Sequence, residues 1–211
     1  GAGKTTLFNL LTGQLPCNSG RVFFKGADIT GFPPHYLCRH GLARTFQINS
    51  IFLSATVLEN VQLALLAYRG KTWNPLVAAR RLMIRETEEI LGRLGLADQA
   101  DKVGSTLSYG DRRRLEVALA LACQPELLLL DEPTSGMSLS EKPSIVQLIQ
   151  SIVKEKGVTT VLIEHDMDVV FSVSDRITVM HQGAVIAEGT PGEIQANPRV
   201  QEVYLGDDHR A

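Results

Sequence analysis

An α/β fold with a mainly parallel sheet is predicted by three features of the sequence. Leu127 to Leu130 form an unbroken apolar run that ends in Asp131 and Glu132. Such a run reads as a strand buried on both faces, as in a parallel sheet covered by helices. Other apolar, β-rich segments at Leu42–Phe46, Thr159–Glu164, Arg176–His181 and Ala184–Glu188 alternate with helical patterns, the signature of a layered α/β sheet. The chain also opens on GAGKTT and runs directly into the helical stretch TTLFNLLTG. A glycine-rich loop feeding a helix N-terminus is built to receive an anion.

In chain order, the opening helix ends at Gly13. RVFFKGADI then reads as a strand with a turn, and Pro33-Pro34 opens a short helix to His40. Gln47 leaves the strand LARTF, where its amide oxygen could reach a metal and sense a phosphate. Thr56 with Glu59 three residues on forms a capping box for a helix over 56–70. A second helix over 76–94 carries mixed charge on a solvated face and closes at Gly95. The stretch LSYGD then begins another apolar helix. Ser108 and Gly110 there suit a second anion-binding terminus, and Ser108 equally suits an ordinary helix cap. After the acidic strand come an amphipathic helix over 140–156, the strand ending at His165, a helix from Met167 to Val173, two strands (Arg176 to His181 and Ala184 to Glu188) separated by the turn Gln182-Gly183, and terminal helices after Pro191 and Pro198.

Bulk properties exclude several classes. A net charge of -2 gives no electrostatic case for nucleic acid. Cys17, Cys38 and Cys123 are widely spaced, odd in number and in no metal spacing, which suits a reducing compartment. No apolar run approaches the ~20 residues needed to cross a bilayer.

GAGKTT fits the end of the phosphate-loop pattern G-x-x-x-x-G-K-[ST], and a carboxylate pair closing an apolar strand is its usual counterpart, so the two together point to a nucleoside triphosphatase. Backbone N–H groups of Gly1, Ala2, Gly3, Lys4, Thr5 and Thr6 would surround the phosphates. Lys4 adds a point charge, Thr5 a hydroxyl for Mg²⁺, and Thr6 reaches the α-phosphate. His165, near the γ-phosphate, could donate a hydrogen bond to it and to the attacking water. The pattern's first glycine would precede Gly1, so the chain is expected to be a fragment lacking the strand that feeds the loop, and to bind ATP poorly as it stands.

Taken in order, the phosphate loop, Gln47, LSYGD, LLLLDEPTSGM and IEHD resemble the ATP-binding cassette (ABC) ATPases along essentially the whole chain. The resemblance implies a P-loop NTPase, RecA-like core lobe (1–49 and 125–211) and a helical signature subdomain (50–124). It makes Lys4 and Thr5 the Walker A residues, Gln47 the Q-loop glutamine, and Ser108 and Gly110 part of the signature. Asp131 becomes the Walker B aspartate, Glu132 the catalytic glutamate and His165 the switch histidine. ATP and Mg²⁺ are then the cofactors, with Thr5, Gln47 and Asp131 about the metal. Two such cassettes, identical or different, face head to tail, each ATP lying between one P-loop and the other's signature. Implied partners are permease subunits and, indirectly, a periplasmic or extracellular solute-binding protein; the implied location is peripheral, on the cytoplasmic face of the membrane. RTFQ with IFLSATVLENVQLAL, and the tail ending VYLG, look like the branched-chain amino acid uptake branch. Urea or amide uptake, lipopolysaccharide export and a non-transport cassette are the alternatives. Ser138 stands where the family usually carries Asp or Asn, which bears on the contact to the opposite P-loop. Tyr109 and Asp111 stand where its commonest signature has glycine and glutamine.

Overall fold

The computed structural model describes residues 1–45, 51–70 and 83–207. Helix α1 (Lys4–Leu11) leads to a small hairpin of β1 (Phe23–Phe24) and β2 (Ala27–Asp28), then α2 (Pro34–Arg39) and β3 (Leu42–Arg44). Helices α3 (Val57–Tyr68), α4 (Ile84–Arg93) and α5 (Tyr109–Ala122) precede β4 (Leu127–Asp131), which α6 (Lys142–Lys156) and β5 (Thr159–Ile163) follow. Helix α7 (Met167–Val173), the hairpin of β6 (Ile177–His181) and β7 (Ala184–Gly189), and helices α8 (Pro191–Gln195) and α9 (Pro198–Asp207) complete the described residues.

The central sheet has the order β3-β4-β5 and is parallel throughout. Its middle strand is the leucine run, and it is covered on both sides as that run predicts. Leu128 and Leu130 belong to the largest core cluster with Val61, Leu115 and Ile145, whereas Leu129 packs with Phe8, Leu42 and Ile163. Alternate side chains thus enter two different apolar layers, each buried leucine contributing about 2 kcal/mol. The mainly parallel sheet expected from the alternation of strands and helices is this one. Among the described residues the two remaining strand pairs, β1-β2 and β6-β7, are antiparallel hairpins joined by tight turns. Short connections of that kind cannot make the crossover that parallel neighbours require.

The helical segment forms as the capping signals predict. Glu59 N donates to Thr56 Oγ1 (3.1 Å) and Thr56 N to Glu59 Oε2 (2.9 Å), closing the box on α3. Helices α3, α4 and α5 share the core cluster of Val57, Leu65, Leu91 and Leu115. Gly95 follows α4 at φ +66°. The first part of the helix read over 76–94 lies outside the described residues.

Candidate functional site

The loop before α1 has the form that phosphate recognition needs. Gly3 sits at φ +91°, a left-handed conformation that L side chains resist. No side chain caps α1, and its first turn holds no acid. The first N–H groups of a helix have no intrahelical partner, so here they remain free for a ligand. The β6–β7 turn backs the loop: Gly183 N donates to Ala2 O at 3.0 Å, and a Cβ on Gly3 would stand 3.4 Å from Gly183 Cα. Lys4 is half-buried, while Thr5 and Thr6 are exposed on the first turn of α1. Gly1, Ala2 and Lys4 line a groove of about 1040 Å³ that also takes in Glu164 and His165.

The strand exits beside this loop carry the acidic groups. Asp131 ends β4 and is 2% exposed. The sequence around it offers no base, yet it has one: Arg44 Nη2 lies 2.6 Å from Asp131 Oδ2, and both side chains are buried. Arg44 comes from the adjacent strand β3, whose register sets it opposite Leu129. The second oxygen, Asp131 Oδ1, is buried with no hydrogen-bond partner.

Glu132 adopts φ +48°, and its N–H donates to Ile163 O at 2.9 Å. This sharp departure from the strand is held by β5, a strained conformation of the kind that surrounding structure must enforce. It brings Glu132 Oε1 within 3.8 Å of His165 Nδ1. The two residues expected to act together are therefore brought together from different strand ends. A third acid was not anticipated: Glu164 is buried and accepts from Thr134 N (2.8 Å), Thr134 Oγ1 (2.7 Å) and His165 N (3.3 Å). It ties the turn after Glu132 to the backbone of His165. Its only trace in the sequence is an acid closing a strand beside His165.

The second anticipated anion terminus is differently finished. Ser108 Oγ accepts from Asp111 N (3.2 Å) and itself donates to Asp111 Oδ2 (2.9 Å). The ordinary helix cap is realised here, with an acid in the first turn of α5. Gly110 is buried; a Cβ there would stand 3.2 Å from Glu141 Oε1 and 3.4 Å from Met137 Cε. Tyr109 OH donates to Ser135 O at 2.8 Å, bracing the start of α5 against the turn after Glu132. Neither Ser108 nor Gly110 lines the groove that holds Lys4 and His165. Ser138 is exposed and occupied locally, its hydroxyl donating to Glu141 Oε2 at 2.7 Å. These bonds hold the Glu141 carboxyl below its usual range, the hydroxyl bond most and the Ser138 N–H next. Gln47 lies outside the described residues.

The residues present fit a magnesium nucleotide. Among the described residues, no group of three or more His, Cys, Asp or Glu side chains could hold a metal alone. Mg²⁺ is commonly bound instead by one or two carboxylates together with substrate phosphates. One orphaned carboxylate oxygen, a hydroxyl at position 5 and a bare helix terminus answer that description.

Comparison with known proteins gives the family. A family model described as ABC transporter matches residues 1–135, and one described as branched-chain amino acid ATP-binding cassette transporter matches residues 184–210. The chain is 40% identical to the high-affinity branched-chain amino acid transport ATP-binding protein LivG of Salmonella typhimurium, over 98% of this chain and 84% of that protein. The same figures hold for BraF of Pseudomonas aeruginosa. Among solved structures, an ATP-binding cassette of an ABC transporter in its ADP conformation superposes with a TM-score of 0.83 at 33% identity, covering 97% of this chain and 84% of that one. A component of the cbiONQ transporter complex from Clostridium perfringens gives 0.78 at 31% identity, covering 99% and 80%.

Proposed function

This chain belongs to the ATP-binding subunits of ABC transporters, and from that premise we propose that it powers the uptake of branched-chain amino acids at the cytoplasmic face of a membrane. It is an ATPase whose hydrolysis is coupled to transport. Among the described residues no helix is long and apolar enough to cross a bilayer, in keeping with a peripheral subunit that acts through a membrane partner.

The mechanism follows from the residues in place. The N–H groups opening α1 and the Lys4 ammonium bind the β- and γ-phosphates. Thr5 and Asp131 would hold Mg²⁺, which supplies positive charge where the phosphoryl group transfers. Glu132 orients the attacking water and takes up its proton. His165, beside Glu132, donates a hydrogen bond to the γ-phosphate, and Lys4 offsets charge on the leaving side. Glu164 keeps both strand exits in register during this work. Ser108 and Gly110 serve a second cassette's nucleotide, as the head-to-tail pairing of such cassettes implies.

Helices α3, α4 and α5 couple closure to the permease. An apolar groove of about 500 Å³, lined by Leu37, Cys38, Leu63, Ala67, Leu119 and Cys123, lies between α2, α3 and α5. A cytoplasmic helix of the permease docks there, with a periplasmic or extracellular binding protein delivering the solute on the other side. The single observation that carries the catalytic reading is the 3.8 Å approach of Glu132 Oε1 to His165 Nδ1, His165 lining the same groove as Lys4. Glu132→Gln is expected to retain ATP binding, stop turnover and accumulate an ATP-bound dimer on size exclusion. Near-normal hydrolysis by that variant would remove Glu132 from its role. In cells, the same variant should abolish leucine and valine uptake; unaffected uptake would rule out this solute class.

A further inference from the structure

The contacts of Arg44 link the phosphate-loop helix to the acidic strand. Its guanidinium is 5.4 Å above the Phe8 ring centroid, and Nη1 donates to Asn9 Oδ1 (2.6 Å), Gln14 Oε1 (3.1 Å) and Thr12 Oγ1 (3.3 Å). These partners lie on α1 and the turn after it. Its other branch, Nη2, reaches Asp131 Oδ2. A planar fork held at one end by three oxygens and an aromatic face has little freedom at the other. The Asp131 carboxylate is therefore turned to a fixed angle. One oxygen is engaged by Arg44, and the other, Oδ1, is left buried without a partner.

A buried acceptor with no donor is costly unless something else completes it. A charged residue placed only for stability would satisfy both oxygens or leave the free one to solvent. We propose that Arg44 is a positioning residue for the metal: by holding Asp131 Oδ2 from α1, it presents Asp131 Oδ1 to the hydrated Mg²⁺ of the nucleotide. The same contacts make the position of Asp131 depend on α1, so the carboxylate is set by the helix that binds the phosphates. Positioning of this kind runs against simple electrostatics, since a nearby cation on its own repels a metal ion. That opposition gives the test its sign.

The proposal rests on Asp131 being the metal carboxylate, so the experiment must separate the two claims. Mn²⁺, as a paramagnetic substitute for Mg²⁺, is titrated by electron spin resonance into protein saturating a sub-stoichiometric amount of ATP, in a Glu132→Gln background that prevents turnover. Arg44→Gln, Arg44→Lys, Asn9→Ala and Asp131→Ala are compared. Loss of an outer partner to a metal-bound carboxylate lowers metal affinity about tenfold or more. Arg44→Gln should therefore weaken Mn²⁺ binding about tenfold. Arg44→Lys, which keeps the charge but not the fork, and Asn9→Ala, which frees the far end, should weaken it to an intermediate degree. ATP affinity in EDTA should be unchanged, because none of these changes removes a phosphate ligand at the α1 terminus. Unchanged or tighter Mn²⁺ binding in the Arg44 variants, with Asp131→Ala impaired, overturns the role of Arg44 alone. Intact Mn²⁺ binding by Asp131→Ala overturns the reading of Asp131 itself. If Arg44→Gln does not fold, Arg44→Lys and Asn9→Ala decide: an unchanged Mn²⁺ affinity in both contradicts the proposal.

Discussion

The N-termini of α1 and α5 look alike in the sequence and are finished in opposite ways. Each follows a glycine- or serine-bearing stretch and opens an apolar helix, so each reads as a place for an anion. In α1 the terminus is bare: a left-handed glycine, no capping side chain and no acid. In α5 the serine hydroxyl already accepts from Asp111 N, and Asp111 adds a negative charge to the first turn. A helix end that satisfies its own N–H groups gains stability alone, and one that does not gains it on binding. The difference teaches that α1 leaves its first N–H groups to a ligand, while α5 has already engaged its own with Ser108.

The largest effect is expected where that contrast is sharpest. Lys4→Ala should lower nucleotide affinity about a hundredfold, since a charge-assisted hydrogen bond to phosphate contributes up to ~3 kcal/mol. A fluorescent-nucleotide titration reads this, and unchanged affinity would break the assignment of α1. Ser108→Ala should cost about 1 kcal/mol of stability in urea unfolding, the usual worth of a helix cap, and leave nucleotide affinity of the isolated chain alone. A loss of affinity in the monomer would erase the distinction between the two termini. Asp111→Asn should be the mildest, a few tenths of a kcal/mol, because the residue is near the surface and acts on the helix dipole. A stability loss as large as that of Ser108→Ala would show that the acid, and not the serine, closes α5.

Much of this was legible in the chain, for local reasons. The capping box of Thr56, the stop at Gly95 and the helix from Met167 to Val173 each depend on residues within a few positions of one another. The burial of β4 followed from its composition alone. What escaped were contacts made across the sheet. Arg44 and Asp131 stand 87 positions apart and meet because β3 pairs with β4 in one particular register. Glu164 reaches Thr134 over 30 positions by the same means. Patterning tells that a strand is buried but not which neighbour it pairs with, so side chains that meet at strand ends stay hidden until the order β3-β4-β5 is known. The mainly parallel sheet was legible too, as were the turns that make β1-β2 and β6-β7 antiparallel pairs.

The central claim is that one cassette's phosphate loop works with another's signature helix, and complementation tests it most directly. Lys4→Ala and Ser108→Ala proteins, each inactive alone, are mixed in equal amounts and ATP turnover is measured. In a head-to-tail pair, half the dimers are mixed and one of their two pockets is intact, so activity should return to roughly a quarter of the unmodified level. If the mixture stays as inactive as its components while unmodified protein turns over ATP under the same conditions, the shared pocket is contradicted.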